Sequence, residues 1–325
     1  MIMDIVDRLL HGDRRAVARL ITWVENEDAR AREAMIELFP HTGRAHIIGV
    51  TGAPGTGKST LVSALAKEER KRGYTVGIIS VDPTSPFTGG ALLGDRIRMM
   101  DLIGDAGVYM RSMASRGNVG GLALATSDAI RVLDAFGKDK IFVETVGAGQ
   151  AEVDIAKTAH TVIVVEAPGL GDEIQAFKAG ILEIADVFVV NKADREGADK
   201  TANALKTMLD LGNTMKQQSL AKASKPSQGS LWRPPILKTI ASEEQGLAPL
   251  ADELDRHWQH LKDGDQLVIR ERERIRDELC DLLARELLRQ RLAQLGDESF
   301  ARMVDDIAQR KVDPHSATRK ILNGM

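Results

Sequence analysis

The stretch Gly52-Ala53-Pro54-Gly55-Thr56-Gly57-Lys58-Ser59-Thr60 sets glycine, lysine and hydroxyl residues at the spacing G-x-x-x-x-G-K-[ST], the spacing of a loop that cradles phosphate. Its glycines let backbone N–H groups converge on phosphate oxygens where a side chain would stand in the way. In such a loop Lys58 reaches the β- and γ-phosphates of a nucleotide, and the Ser59 hydroxyl ligates Mg²⁺. Far downstream, Asn191-Lys192-Ala193-Asp194 supplies a carboxylate, Asp194, that can accept hydrogen bonds from the N1–H and 2-amino group of guanine. Adenine offers neither donor and would leave a buried charge unpaired, a costly mismatch. The Lys192 stem can lie along the base. In this order the two strings indicate GTP.

Between them lie further candidates. Glu144-Thr145-Val146-Gly147 places a carboxylate suited to hold Mg²⁺ through water and a glycine amide, Gly147, suited to meet the γ-phosphate. Asp is the usual residue at this carboxylate position, and Glu144 is one methylene longer. Gln150 either orients the attacking water or is a solvated loop amide. Asp82 and Asp95 face the metal and γ-phosphate in one reading; in the other, Asp82 starts a turn before Pro83 and Asp95 caps a helix. The Pro- and Gly-rich composition between them suits a switch loop that orders with nucleotide. Arg111–Gly121 combines two arginines with three glycines and reads equally as a phosphate-binding segment or a flexible loop. Seven histidines are scattered along the chain and no Cys-x-x-Cys occurs, which argues against a structural zinc or a nickel-storage site. No Ser/His/Asp or Cys/His nucleophile set stands out.

The elements that must position these residues follow from periodicity. Short apolar runs predict strands at His46–Thr51, Thr75–Val81, Lys140–Glu144, Thr161–Glu166, Asp186–Asn191 and Pro235–Thr239,. Helices are predicted at Ser59–Arg72, Leu122–Phe136, Glu173–Ile181 and Ala198–Leu211,. Strands without polar alternation, separated by helices, argue an α/β fold: a mostly parallel sheet covered on both faces. Residues 1–44 read as an N-terminal helical extension, 45–264 as the nucleotide-binding domain and 265–325 as a helical arm with an apolar stripe. Asn213–Pro235 reads as a surface excursion. With 325 residues, 43% hydrophobic content and a net charge of −3, nothing recommends nucleic acid or an anionic membrane as partner. A single cysteine, Cys280, and the lack of a secretory pattern or spanning run predict a soluble cytoplasmic protein,.

The series Gly52–Thr60, Val81-Asp-Pro-Thr-Ser85, Gly94-Asp-Arg-Ile-Arg-Met99, Ser112–Leu122, Glu144–Gln150 and Asn191–Asp194 resembles the ArgK/MeaB GTPases of the SIMIBI class, which accompany methylmalonyl-CoA mutase and related adenosylcobalamin-dependent acyl-CoA mutases. The resemblance runs from about residue 45 to 262 and implies a P-loop NTPase sheet with helical extensions. It implies GTP/GDP on Gly52–Thr60, Asn191, Lys192 and Asp194, and Mg²⁺ at Ser59, Asp82, Asp95 and Glu144. Ile240-Ala241-Ser242 fills the place of the loop whose backbone meets the guanine oxygen. Lys58, Gly147 and Gln150 are the catalytic candidates. Ala167–Lys178 resembles a mobile segment that signals nucleotide state to the mutase, with Lys178 a candidate charge contact. The C-terminal helices look like a homodimerisation arm. The implied function is a Mg²⁺-dependent GTPase that chaperones the mutase, gating cofactor loading and protecting or reactivating the enzyme. Alternatives are a kinase of periplasmic binding proteins, a metal-insertion GTPase, or a nucleotide-controlled scaffold.

Overall fold

The computed structural model describes residues 2–83, 100–102, 104–115, 121–145, 155, 157–169, 184–220 and 232–323. The chain forms two compact units, Met1–Arg270 and Glu271–Met325.

The first unit is built on seven parallel strands: β1 His46–Thr51, β2 Val76–Pro83, β3 Val108–Ser115, β4 Lys140–Thr145, β5 Thr161–Glu166, β6 Val187–Asn191 and β7 Ile236–Thr239. Their order across the sheet is β3-β2-β4-β1-β5-β6-β7. From β1 the chain crosses to β2 on one side, whereas from β5 it moves out to β6 on the other. The β1/β5 boundary is therefore the switch point, where open α/β sheets bind ligands outside the carboxyl ends of their strands. Because every pairing is parallel, the ends of β1, β2, β4, β6 and β7 reach the same edge.

Strand residues alternate between apolar clusters on the two faces of the sheet. Ile48, Val50, Ile78, Phe142, Ile163 and Val187 pack against helices α4 (Lys58–Lys71), through Leu61 and Leu65, and the later Leu247–Asp263 helix, through Leu250 and Leu254. Ile47, Ile79, Ile141 and Val143 face the opposite way, against α5 (Gly121–Ala135). The N-terminal helices α1 (Ile2–Leu10), α2 (Arg14–Glu25) and α3 (Ala29–Leu38) join that second cluster through Ile5, Leu9, Val17, Leu20, Ile21 and Leu38. The starts of α2 and α3 are set by Asp13, which accepts from the Arg15 and Ala16 amides, and by Asp28, which accepts from the Arg30 amide,. α6 (Ala198–Leu220) covers the far end of the sheet, where Leu205 meets Phe188 and Val190. The Leu247–Asp263 helix is α7, and α8 runs Gln266–Leu295.

The second unit holds most of α8, then α9 (Asp297–Ala308) and α10 (Pro314–Asn323). α8 buries none of its residues, and Ile275, Leu279, Leu282, Leu283, Leu287 and Leu288 stand exposed along it.

Three features depart from the sequence expectations. Val108–Ser115 is an edge strand, whereas the sequence reads Arg111–Gly121 equally as a phosphate-binding segment or a flexible loop. Parallel pairing to β2, from Val76↔Val108 to Pro83↔Ser115, overrides the weak β signal of a stretch containing Arg, Met and Ser. α6 continues to Leu220, into the expected excursion, because Asn213 does not break a helix already propagating. α4 begins at Lys58, one residue before the expected start, with Gly57 as its N-cap. The expected Glu173–Ile181 helix lies outside the described residues.

Candidate functional site

The glycine-rich loop leaves β1 at the switch point, and its glycines are there for steric reasons. A Cβ on Gly52, whose φ is +140°, would lie 2.2 Å from the Val165 carbonyl oxygen of β5; one on Gly57, at φ +91°, would lie 2.6 Å from Nδ2 of Asn191. The loop thus rests against β5 on one side and the end of β6 on the other. α4 has no side-chain cap at its N-terminus, in contrast to α2 and α3. Its first-turn amides and its dipole point into the loop, an arrangement that favours an anion.

Lys58 is buried, and its ammonium donates to the carbonyl oxygens of Gly52 (2.7 Å) and Ala53 (3.0 Å). The Thr56 hydroxyl also donates to Ala53 O, at 2.9 Å. Ser59 lies in the first turn of α4 beside Lys58, and Thr60 follows it.

Asn191 ends β6 and is a hub. Its Nδ2 donates to the Thr56 carbonyl at 2.9 Å, while Oδ1 accepts from the Thr239 hydroxyl and the Ala241 amide, each at 3.1 Å. Lys192 takes a left-handed backbone, φ +56°, and its Nζ donates to the Gly55 carbonyl at 2.6 Å. The two strings that indicate GTP are therefore hydrogen-bonded to each other. Ala241–Glu243 forms a short 3₁₀ turn directly after β7, closed by an Ile240↔Gln245 bridge. This places Ile240, Ala241 and Ser242 beside Asn191. Asp194 is exposed, in the turn that follows Lys192.

Glu144 sits near the end of β4, buried, and accepts a hydrogen bond from the Ser80 hydroxyl at 3.2 Å. The Ser59 hydroxyl and the Glu144 carboxylate are hard oxygen donors at the strand-end edge, with neither thiolate nor imidazole among the site residues. That chemistry fits Mg²⁺. Among the described residues no group of three His, Cys, Asp or Glu side chains is arranged to hold a metal. Asp82 is the penultimate residue of β2 by its backbone; its side chain, together with Asp95, Gly147, Gln150, Arg98, Arg116, Lys178 and most of Ala167–Lys178, lies outside the described residues.

Arg111 points away from this edge. Its guanidinium pairs with the Glu25 carboxylate and donates to the Thr22 hydroxyl of α2 at 3.2 Å. Strand alternation on β3 aims it at the N-terminal helices, so of the Arg111–Gly121 segment this arginine is taken up by α2.

The histidines are not scattered in space. At the opposite edge of the sheet, His46 and His160 stack on Trp258 with centroids 4.6 and 4.9 Å apart. Trp232 lies against His257 and His260. Thr161 Oγ1 is 2.7 Å from His46 Nε2 and 2.8 Å from His257 Nδ1, and His257 Nε2 lies 3.2 Å from Asp186. A Thr–His–Asp series thus exists that sequence order concealed. Thr161 and His257 are fully buried, so no substrate meets them and the series is a structural relay. A proton arrangement that satisfies it has His46 Nε2–H donating to Thr161 and Thr161 donating to His257 Nδ1. His257 Nε2–H then faces Asp186. Burial, reinforced by His160 and Lys140, holds the His46 pKa well below the usual histidine value,. Burial raises the carboxyl of Asp186, but His257 and Arg270 outweigh it and hold that pKa below its ordinary value. Nearby, Lys140 pairs with the buried Glu69 at 2.7 Å and with Asp255 at 2.6 Å.

Comparison with known proteins gives a consistent picture. The family model described as methylmalonyl Co-A mutase-associated GTPase MeaB matches residues 17–296. A putative GTPase of Pyrococcus abyssi is 49% identical over 322 residues, covering 99% of this chain and 96% of that protein. The mitochondrial methylmalonic aciduria type A homolog of Mus musculus is 32% identical over 276 residues, covering 78% of this chain and 63% of that protein. Among solved structures, an LAO/AO transport system kinase superposes with a TM-score of 0.69 at 22% identity, covering 98% of this chain and 96% of that one; this likeness bears on the fold alone. No helix among the described residues is long and apolar enough to cross a membrane.

Proposed function

The chain belongs to the MeaB family of methylmalonyl-CoA mutase-associated GTPases, and from that premise we propose that it is a Mg²⁺-dependent GTP switch that chaperones an adenosylcobalamin-dependent acyl-CoA mutase. The observation that carries the GTP assignment is the pair of hydrogen bonds from Asn191 and Lys192 to the carbonyls of Thr56 and Gly55. They join a base-reading turn to a phosphate-binding loop at one sheet edge.

In this reading the amides of Gly55–Thr60 and the α4 N-terminus bind the phosphates. Lys58 exchanges its loop carbonyls for phosphate oxygens and stabilises charge on the transferring phosphoryl group. Ser59, Glu144, Asp82 and Asp95 would hold Mg²⁺, which would supply positive charge against the phosphates. Asp194 accepts from guanine, and the Ala241 turn lines the other edge of the base. Gly147 meets the γ-phosphate and Gln150 orients water.

Arg111 is held by Glu25. No arginine of this chain is assigned to the transition state, so turnover by the isolated protein is expected to be slow and to be accelerated by the mutase, whose cofactor loading and protection the switch would govern. The exposed apolar face of α8 is the proposed homodimer surface, and the compartment is the cytoplasm. A monomer in sedimentation at micromolar concentration would remove the dimer from this account.

The central test compares labelled GDP, ADP and XDP. Wild-type protein should prefer GDP over ADP, and Asp194→Asn should move that preference to XDP, because the amide donates where the carboxylate accepted. Equal affinity for ADP would instead point to the kinase reading. Retention of a cobalamin-dependent mutase by the GTP-loaded protein tests the partner.

A further inference from the structure

β2 is apolar along its buried length, with Val76, Ile78, Ile79 and Val81, except at Ser80, which is 4% exposed. A hydroxyl there costs desolvation unless it is used. It is used once: Ser80 Oγ donates to Glu144 Oε1 at 3.2 Å. The two residues stand opposite each other in the β2–β4 register. Alternation puts Ser80 on the face of Ile78 and Glu144 on the face of Phe142. Ile78 and Phe142 pack in one cluster with Leu61 and Leu65 of α4. The pair therefore lies on the side of the sheet covered by the helix that begins with Lys58 and Ser59.

Glutamate carries one more rotatable bond than the aspartate usual at this position, so its carboxylate has more orientations to lose before it can serve a metal. A hydroxyl on the neighbouring strand removes that freedom in advance. We propose that Ser80 is a positioning residue for the magnesium site, holding the Glu144 carboxylate in the orientation that Mg²⁺-nucleotide requires. The inference rests on the GTP–Mg²⁺ reading above and adds a residue that lies outside all of its motifs. Ser80 acts through Glu144 and touches neither nucleotide nor metal, which is the pattern of outer hydrogen bonds that tune metal ligands.

The test is release of fluorescent GDP from the full-length protein as Mg²⁺ is titrated. In Ser80→Ala the Mg²⁺ concentration that half-maximally slows release should rise on the order of tenfold, the scale of a lost hydrogen bond to a charged group. GDP affinity in excess chelator should stay within twofold of wild type. In a Glu144→Gln background, adding Ser80→Ala should produce no further shift, because the carboxylate it steers is gone. A wild-type Mg²⁺ midpoint in Ser80→Ala, or the same shift with Glu144→Gln present, overturns the proposal. Ser80→Cys, close in volume and a weaker donor, keeps the test available if the alanine variant does not fold; it should give a shift in the same direction. Failure of the wild type to bind GDP would instead overturn the nucleotide reading itself.

Discussion

Asn191 offers the sharpest test of how the site is held together. Its side chain is buried and makes three hydrogen bonds, one to the Thr56 carbonyl and two from Thr239 and Ala241. Asn191→Ala removes all of them and leaves a carbonyl, a hydroxyl and an amide without that partner. At about 1 kcal/mol net per bond, the cost is about 3 kcal/mol. For a unit of this size that corresponds to a fall in Tm of about 6–12 °C. Asn191→Asp separates the two directions of the hub. It keeps an acceptor for Thr239 and Ala241, but sets a carboxylate oxygen against the Thr56 carbonyl oxygen, where a donor now sits at 2.9 Å. It should therefore cost the phosphate loop more than the base turn. Thermal unfolding by circular dichroism reads the stability, and stopped-flow release of fluorescent GDP reads the site. Release should quicken at least tenfold in both variants, equivalent to about 1.4 kcal/mol. An Asn191→Ala protein that melts within 2 °C (a change of about 1 kcal/mol or less) and releases GDP at the wild-type rate would refute the hub.

Three further outcomes are expected. His46 stays neutral in the fold where the unfolded chain takes up a proton; stability should fall as pH drops below about 6.5, by up to about 1.4 kcal/mol per pH unit, and His46→Gln should remove that part of the slope in urea unfolding. His160, His257, Lys140 and Lys262 face His46, and all are retained in that variant. Burial lowers the Lys138 pKa to about 8 from 10.5, so between those values the unfolded state holds the extra proton and stability should rise with pH, a gain that Lys138→Met lacks in the same measurement. Arg111→Ala leaves Glu25 without its partner in a half-buried place and should cost about 2 kcal/mol, the scale of a hydrogen bond to a charged group, while GTP turnover stays within twofold of wild type; a hundredfold loss of turnover in a folded Arg111→Ala protein would place that arginine at the catalytic site.

The motifs were legible because backbone chemistry demands them locally. A loop that packs its Cα atoms against Val165 and Asn191 must have glycine at Gly52 and Gly57, and buried parallel strands must be apolar on both faces. Those requirements are written in neighbouring residues, so β1, β4, β5 and the loop could be read directly. Edge strand β3 could not, because its pairing partner is the distant β2 and its own residues carry little β preference. The side chain of Arg111 was ambiguous for the same reason: strand alternation, and the helices that pack on that face, decide where it goes.

What the chain determined by itself was the set of groups available: a glycine-rich loop ending in Lys58 and Ser59, a carboxylate at Asp194, and a second carboxylate at Glu144. Only the tertiary structure decided which of these meet. Parallel pairing carries the ends of β1, β4, β6 and β7 to one edge, where Asn191 ties phosphate loop to base turn and Ser80 faces Glu144. At the other edge, the start of β1 and the α7 helix packed on the sheet gather His46, His160 and His257, and all three are buried. Spacing along a chain specifies loops and periodicities; strand order and register, set by burial over the whole sheet, specify neighbours.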